Sequence, residues 1–112
     1  MRCGLNTVIH FIDVGQGNMV LLEATDRKFY LCDCNVTNEN EDSVLSYLAG
    51  VIGWGTIFSA FICTHRDADH MRGIKKVHEY FPVESIWDSG HPGTTTNSSE
   101  YQEYMDLRRE VG

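Results

Sequence analysis

Apolar and polar positions change period repeatedly along this chain. Thr7 to Asp13 (TVIHFID) alternates toward and away from a core, Met19 to Ala24 (MVLLEA) is an extended apolar run, and Phe29 to Cys34 (FYLCDC) follows. Gly15-Gln16-Gly17-Asn18 and Asp26-Arg27-Lys28 supply turn chemistry between them, so the pattern predicts a small antiparallel meander. From Ser43 the period lengthens. Val44, Leu45, Tyr47, Leu48, Val51 and Ile52 recur at helical spacing, Asp42 or Ser43 can cap the first turn, and Gly53 and Gly55 end it. Ile57 to Cys63 (IFSAFIC) is nearly continuous apolar sequence, as expected of a strand buried on both faces. Polar, irregular sequence follows until Ile74. Ile74, Val77, His78 and Phe81 then share one face of a short helix stopped by Pro82, and Val83 to Trp87 predicts another short strand. Ser89 to Ser98 is a loop rich in Gly, Thr and Ser. Ser99 followed by Gln102 resembles a capping box, opening a last helix through Tyr101, Tyr104, Met105 and Val111. No repeat or linker interrupts the pattern, and residues 1–112 are expected to form one continuous α/β unit.

Composition narrows the class. An apolar fraction of 42% and a charged fraction of 22% are those of an ordinary globular chain. No apolar run approaches the roughly 20 residues of a membrane-spanning helix. Asn6, His10 and Asp13 interrupt any signal-like apolar stretch, so a cytoplasmic location is expected. A formal charge of -7 argues against binding nucleic acid through charge alone. It does not exclude a phosphate substrate, because a bound cation inverts the local field, and Asp33, Asp67, Asp69 and Asp88 stand where one could sit or be supported. Cys3, Cys32, Cys34 and Cys63 contain no CxxC pair and are expected to behave as small buried hydrophobes rather than thiolate ligands.

The chemistry concentrates at Thr64-His65-Arg66-Asp67-Ala68-Asp69-His70, directly after the buried strand. A loop leaving a strand end can turn side chains at 65, 67, 69 and 70 toward one point, which neither a regular helix nor a strand can do. Imidazole and carboxylate together hold a borderline or hard divalent ion and leave a position open for water. Water on such an ion can have its pKa lowered from 15.7 to roughly 7.

His65-Arg66-Asp67-Ala68-Asp69-His70 reads HxDxDH, which resembles the HxHxDH signature of metallo-β-lactamase-fold hydrolases, in the form found in the ComEC-type branch associated with DNA uptake. Asp13-Val14-Gly15-Gln16-Gly17-Asn18 is similar to that branch's DVGQGD turn, with Asn18 replacing the last Asp. Leu31-Cys32-Asp33 resembles the Asp-bearing strand end that buttresses the metal loop, although Cys34-Asn35 replaces the usual Thr-Gly. The resemblance covers residues 8 to about 90. It implies an α/β fold, the N-terminal half of a metallo-β-lactamase αββα sandwich, with a mixed sheet and flanking helices. It implies two divalent metal ions, zinc or manganese, with His65 and Asp67 on one and Asp69 and His70 on the other. Asp69 would orient or deprotonate the attacking water, and Asp33 would support the loop without touching metal. The hard oxygen of Asp67 makes manganese a competitor to zinc.

The implied activity is hydrolysis of phosphodiesters in nucleic acid or nucleotides. Thioester, lactone or lactam hydrolysis, and a non-catalytic metal-binding or interaction module, are the alternatives. The family fold is about twice this length and draws further ligands from its second half. No His or Asp cluster follows His91, so a homo-oligomer or a separate C-terminal half is the expected partner. His10, His78, Tyr101 and Tyr104 read as packing residues, and Asp88 and His91 as turn residues that could line the site.

Overall fold

The computed structural model describes residues 7–15, 19–91, 93 and 96–111, apart from the Asp69 side chain. The expectations for residues 16–18, for Cys3 and for the Asp69 carboxylate therefore lie outside the described residues.

The elements run β1 (Val8–Phe11), β2 (Val20–Glu23), β3 (Phe29–Cys32), β4 (Cys34–Asn35), α1 (Glu41–Ile52), β5 (Phe58–Cys63), α2 (Ala68–Met71), α3 (Ile74–Tyr80), β6 (Ile86–Asp88) and α4 (Ser99–Val111). Five strands make one mixed sheet in the order β1-β2-β3-β5-β6. The meander β1-β2-β3 is antiparallel, as the alternation predicts, and β5 and β6 join it in parallel. Parallel neighbours need a crossover between them, and α1 supplies it between β3 and β5. The coarse expectation of an α/β unit with a mixed sheet is what the chain forms.

Register assigns the two faces. Leu21 pairs with Leu31, Leu31 with Phe61 and Phe61 with Ile86, so these share one face. That face packs on Val44 and Leu48 of α1, Ile74 and Val77 of α3, Phe81, and Tyr104 and Leu107 of α4, in one buried cluster. Each large side chain removed from water there stabilises the fold by roughly 1.5–3 kcal/mol. The opposite face carries Phe11, Val20, Cys32, Ile62 and Trp87 in one row, and Ile9, Leu22, Tyr30 and Ala60 in the next. None of these belongs to the buried cluster. Phe11 is 82% exposed and Trp87 54%, and the Trp87 ring leans on Tyr30 with centroids 6.0 Å apart. β5 is covered fully on its helix face; on the other face Ala60 is buried and Ile62 half-buried, so the expected enclosure on both sides is met only in part.

Local details differ from the pattern at element ends. α1 begins at Glu41, and neither Asp42 nor Ser43 caps it. Instead Asn40 and Thr37 exchange bonds, with the Thr37 N–H donating to Asn40 Oδ1 at 2.7 Å, while the Ser43 hydroxyl donates back to the Asn40 carbonyl. The start of α4 is shifted by one residue: the Ser98 hydroxyl, not Ser99, accepts the Tyr101 N–H at 3.1 Å. The segment expected to be irregular contains the helical turn α2. Beyond it, Gly73 adopts φ +79 and meets the Val36 backbone so closely that a Cβ would lie 2.6 Å from its carbonyl oxygen. Only glycine permits that contact.

The two faces should respond oppositely to truncation. Leu31→Ala should cost about 2–5 kcal/mol in urea unfolding. Phe11→Ser should stay within about 0.5 kcal/mol of wild type, while lowering the fluorescence of a bound apolar dye. A large destabilisation by Phe11→Ser would mean that this face is covered.

Candidate metal centre

The parallel arrangement of β3, β5 and β6 brings their C-terminal ends to one edge of the sheet, and the polar residues that follow each strand meet there. β3 stops because Asp33 takes φ 59, in the left-handed region that costs most residues about 1–2 kcal/mol but that Asp visits more readily. The turn lets Cys34 and Asn35 leave the sheet and pair with Met71 and Arg72, at the C-terminal end of α2. The loop from 64 to 70 is thereby held between β3's continuation and the end of β5.

Asp33 lies buried beneath this loop. Its carboxylate accepts the Thr64 N–H at 2.8 Å, the Thr64 hydroxyl at 2.6 Å and His70 Nδ1 at 3.0 Å. Thr64 Oγ1 also stands 3.1 Å from His65 Nδ1. Thr64 has one hydroxyl proton, and Asp33 as a carboxylate can only accept, so that proton points to Asp33. Toward His65 the Thr64 oxygen is then the acceptor, and His65 carries its proton on Nδ1. His70 does the same toward Asp33 directly. With the Nδ1 proton so directed, the neutral form of each imidazole has its lone pair on Nε2, the tautomer in which a supporting carboxylate presents histidine to a metal. The two rings lie 4.9 Å apart between centroids.

Asp67 occupies the position before α2, and the His70 N–H bonds its backbone carbonyl at 2.9 Å. Asp67 lines a cavity of about 480 Å³ together with Thr64, His65, Arg66 and, across the gap, Ser89, His91 and Gly93. Asp69 and His70 sit on the helical turn itself rather than on irregular loop. Among the described residues no three His, Cys, Asp or Glu side chains converge on one metal position, and the Asp69 carboxylate is not among them. The donor chemistry nevertheless fits a divalent cation at its histidine half, because one buried carboxylate sets both imidazoles in the ligating tautomer.

Arg66 and Asp88 form a second buried pair at the wall of the same cavity. Arg66 Nε and Nη2 donate to the two Asp88 oxygens at 3.2 and 3.0 Å. Asp88 also accepts from Tyr104 Oη, Arg108 Nε at 3.0 Å and the Gly90 N–H at 2.7 Å. Burial pushes the Asp88 carboxyl up, but the bonds from Arg66, Tyr104 and Gly90 outweigh it and hold it at about 2. Tyr104, read from the sequence as packing alone, therefore also fixes a charge. Arg66 gave no sign beyond standing between two ligand-type residues.

The remaining candidates lie apart from this cluster. His10 shares Nδ1 with the Tyr47 hydroxyl at 3.0 Å across from α1. His78 Nδ1 accepts the Val83 N–H at 3.0 Å and closes the end of α3. His91 lines the cavity from the turn after β6. Cys34 and Cys63 are buried. Burial pushes the Cys63 thiol up to about 12, and its Sγ donates to the His65 carbonyl.

The depressed Asp88 value fixes a pH window. A carboxyl lowered on folding adds stability that is complete above its ordinary value of 3.8 and is lost as pH falls through about 2. Urea unfolding from pH 5 downward should show this loss in wild type, with a shallower slope in Asp88→Asn. Parallel slopes in the two proteins would remove Asp88 from the acid response.

Comparison of the chain with family models, with curated proteins and with solved structures finds no match, so the reading of the site rests on its own residues.

Proposed function

We propose that the chain is a divalent-metal-binding hydrolase domain of metallo-β-lactamase type, acting on phosphodiesters of nucleic acid or nucleotides. The observation that carries this reading is the Asp33 carboxylate, which sets His65 through Thr64 and His70 directly. A surface cluster of polar residues has no reason to orient two imidazoles alike from one buried acid. A one-sided mixed sheet with the HxDxDH loop at its C-terminal edge is also what the N-terminal half of that fold would present.

In this reading His65, Asp67, Asp69 and His70 would hold two ions, zinc or manganese, which would supply Lewis acidity there. Thr64 and Asp33 keep the imidazole protons on Nδ1. Asp69 would orient or deprotonate the attacking water, and the wall of Ser89 and His91 borders the space where a substrate would lie. Four protein donors give each ion about two, below the three typical of a catalytic zinc site. Turnover of bis-p-nitrophenyl phosphate by these 112 residues alone should therefore be weak.

Metal analysis on protein purified without chelator tests the reading. Manganese or zinc should be retained by wild type and lost in His65→Ala/His70→Ala. Asp33→Asn should weaken affinity by roughly 10–100-fold, the usual consequence of removing a ligand's supporting partner. Unchanged metal content in the double variant would defeat the assignment. Level affinity in Asp33→Asn beside a collapsed melting temperature would leave Asp33 a structural residue only.

A further inference from the structure

We infer that Asp88 is the positioning residue of the cavity, fixing both of its walls at once through Arg66 on one side and the turn after β6 on the other. Arg66 is buried between His65, which is exposed, and Asp67, which is half-buried. Holding Arg66 inward fixes the stretch of chain that carries His65 and Asp67, which line the cavity on either side of it. The force that draws it in is a two-pronged bond to a carboxylate only 1% exposed.

The second wall hangs on the same carboxylate. Asp88 accepts the Gly90 N–H at 2.7 Å, which starts the turn carrying Ser89 and His91. That turn then reaches back onto the first wall. A Cβ at Gly93 would lie 2.7 Å from the Arg66 carbonyl oxygen and 2.9 Å from Asp67 Oδ1, and φ there is +78. The gap between the walls is therefore set by direct contact as well as by their shared anchor. Tyr104 and Arg108 add two donors from α4, so the long C-terminal helix braces the anchor from behind.

Five donors exceed the roughly four lone-pair positions that a carboxylate offers. Asp88 is saturated, and it acts on the cavity through Arg66 and Gly90 rather than by reaching a cation itself. Arg66 has no interchangeable substitute here, because a lysine ammonium cannot make the paired bonds of a planar guanidinium.

The affinity arm of the test rests on the proposed metal reading; the exchange arm does not. Asp88→Asn, Arg66→Met and Tyr104→Phe would be compared with Val44→Ala, a buried α1 truncation that destabilises the fold away from the cavity. Tyr104→Phe keeps the ring's packing and guards against a variant that fails to fold. Amide hydrogen exchange without metal should quicken at residues 64–67 and 89–91 together in the three anchor variants, and at neither in Val44→Ala. Manganese affinity should fall by about tenfold or more in Asp88→Asn and Arg66→Met, and hold level in Val44→Ala. Exchange that quickens at one wall only, or equally in Val44→Ala, would overturn the inference. If wild type binds no manganese or zinc, the metal reading fails and the exchange result alone decides the role of Asp88.

Discussion

One carboxylate, that of Asp33, ties together the end of β3, the end of β5 and the helical turn α2. It accepts from the backbone of Thr64, from its hydroxyl and from His70, and it is almost wholly buried. Burying a charged carboxylate is costly unless hydrogen bonds replace its water. These donors meet that requirement only while the loop keeps its shape. The constraint runs both ways: the loop solvates the acid, and the acid orients the loop. The left-handed backbone at Asp33 follows from it, since the strand must turn sharply to place the side chain beneath Thr64.

Asp33 and Asp88 are the same residue type at the ends of two strands, yet they serve the site differently. Asp33 controls which ring nitrogen of each histidine carries the proton. Asp88 meets two guanidinium groups, a phenol and a backbone N–H, and controls where the loop lies. The first is a matter of hydrogen-bond direction and the second of charge in a poorly solvated place, where paired groups interact more strongly than at the surface. A cavity between them inherits both settings without either acid having to face it.

The sheet has a contrasting economy. Its helix face gathers nearly all of the buried apolar surface, including Leu31, Phe61 and Tyr104. Its other face is equally apolar in sequence but lacks a covering layer among the described residues, leaving Phe11, Ile9 and Trp87 in contact with solvent. The site lies at the edge shared by both faces, next to the row of Phe11, Val20, Cys32, Ile62 and Trp87.

Much of this was legible in the residues themselves. Alternation in the first strands, helical spacing from Val44 to Ile52 and the apolar run before Cys63 determined the elements, because local periodicity reflects which side of each segment is buried. The crowding of His65, Asp67, Asp69 and His70 in one short stretch marked the site. Helix starts were misplaced by one to three residues, since Asn40 at α1 and Ser98 at α4 stand close to the residues the sequence offers as caps and only backbone geometry selects among them. The open sheet face was invisible to periodicity, because an apolar side chain reads alike whether covered or exposed. The roles of Thr64, Arg66, Asp88 and Tyr104 came from tertiary structure alone. They join residues up to 38 positions apart, as Arg66 and Tyr104 do through Asp88. No local pattern encodes which buried charge will meet which donor; the packing of β6 and α4 against the loop decides it.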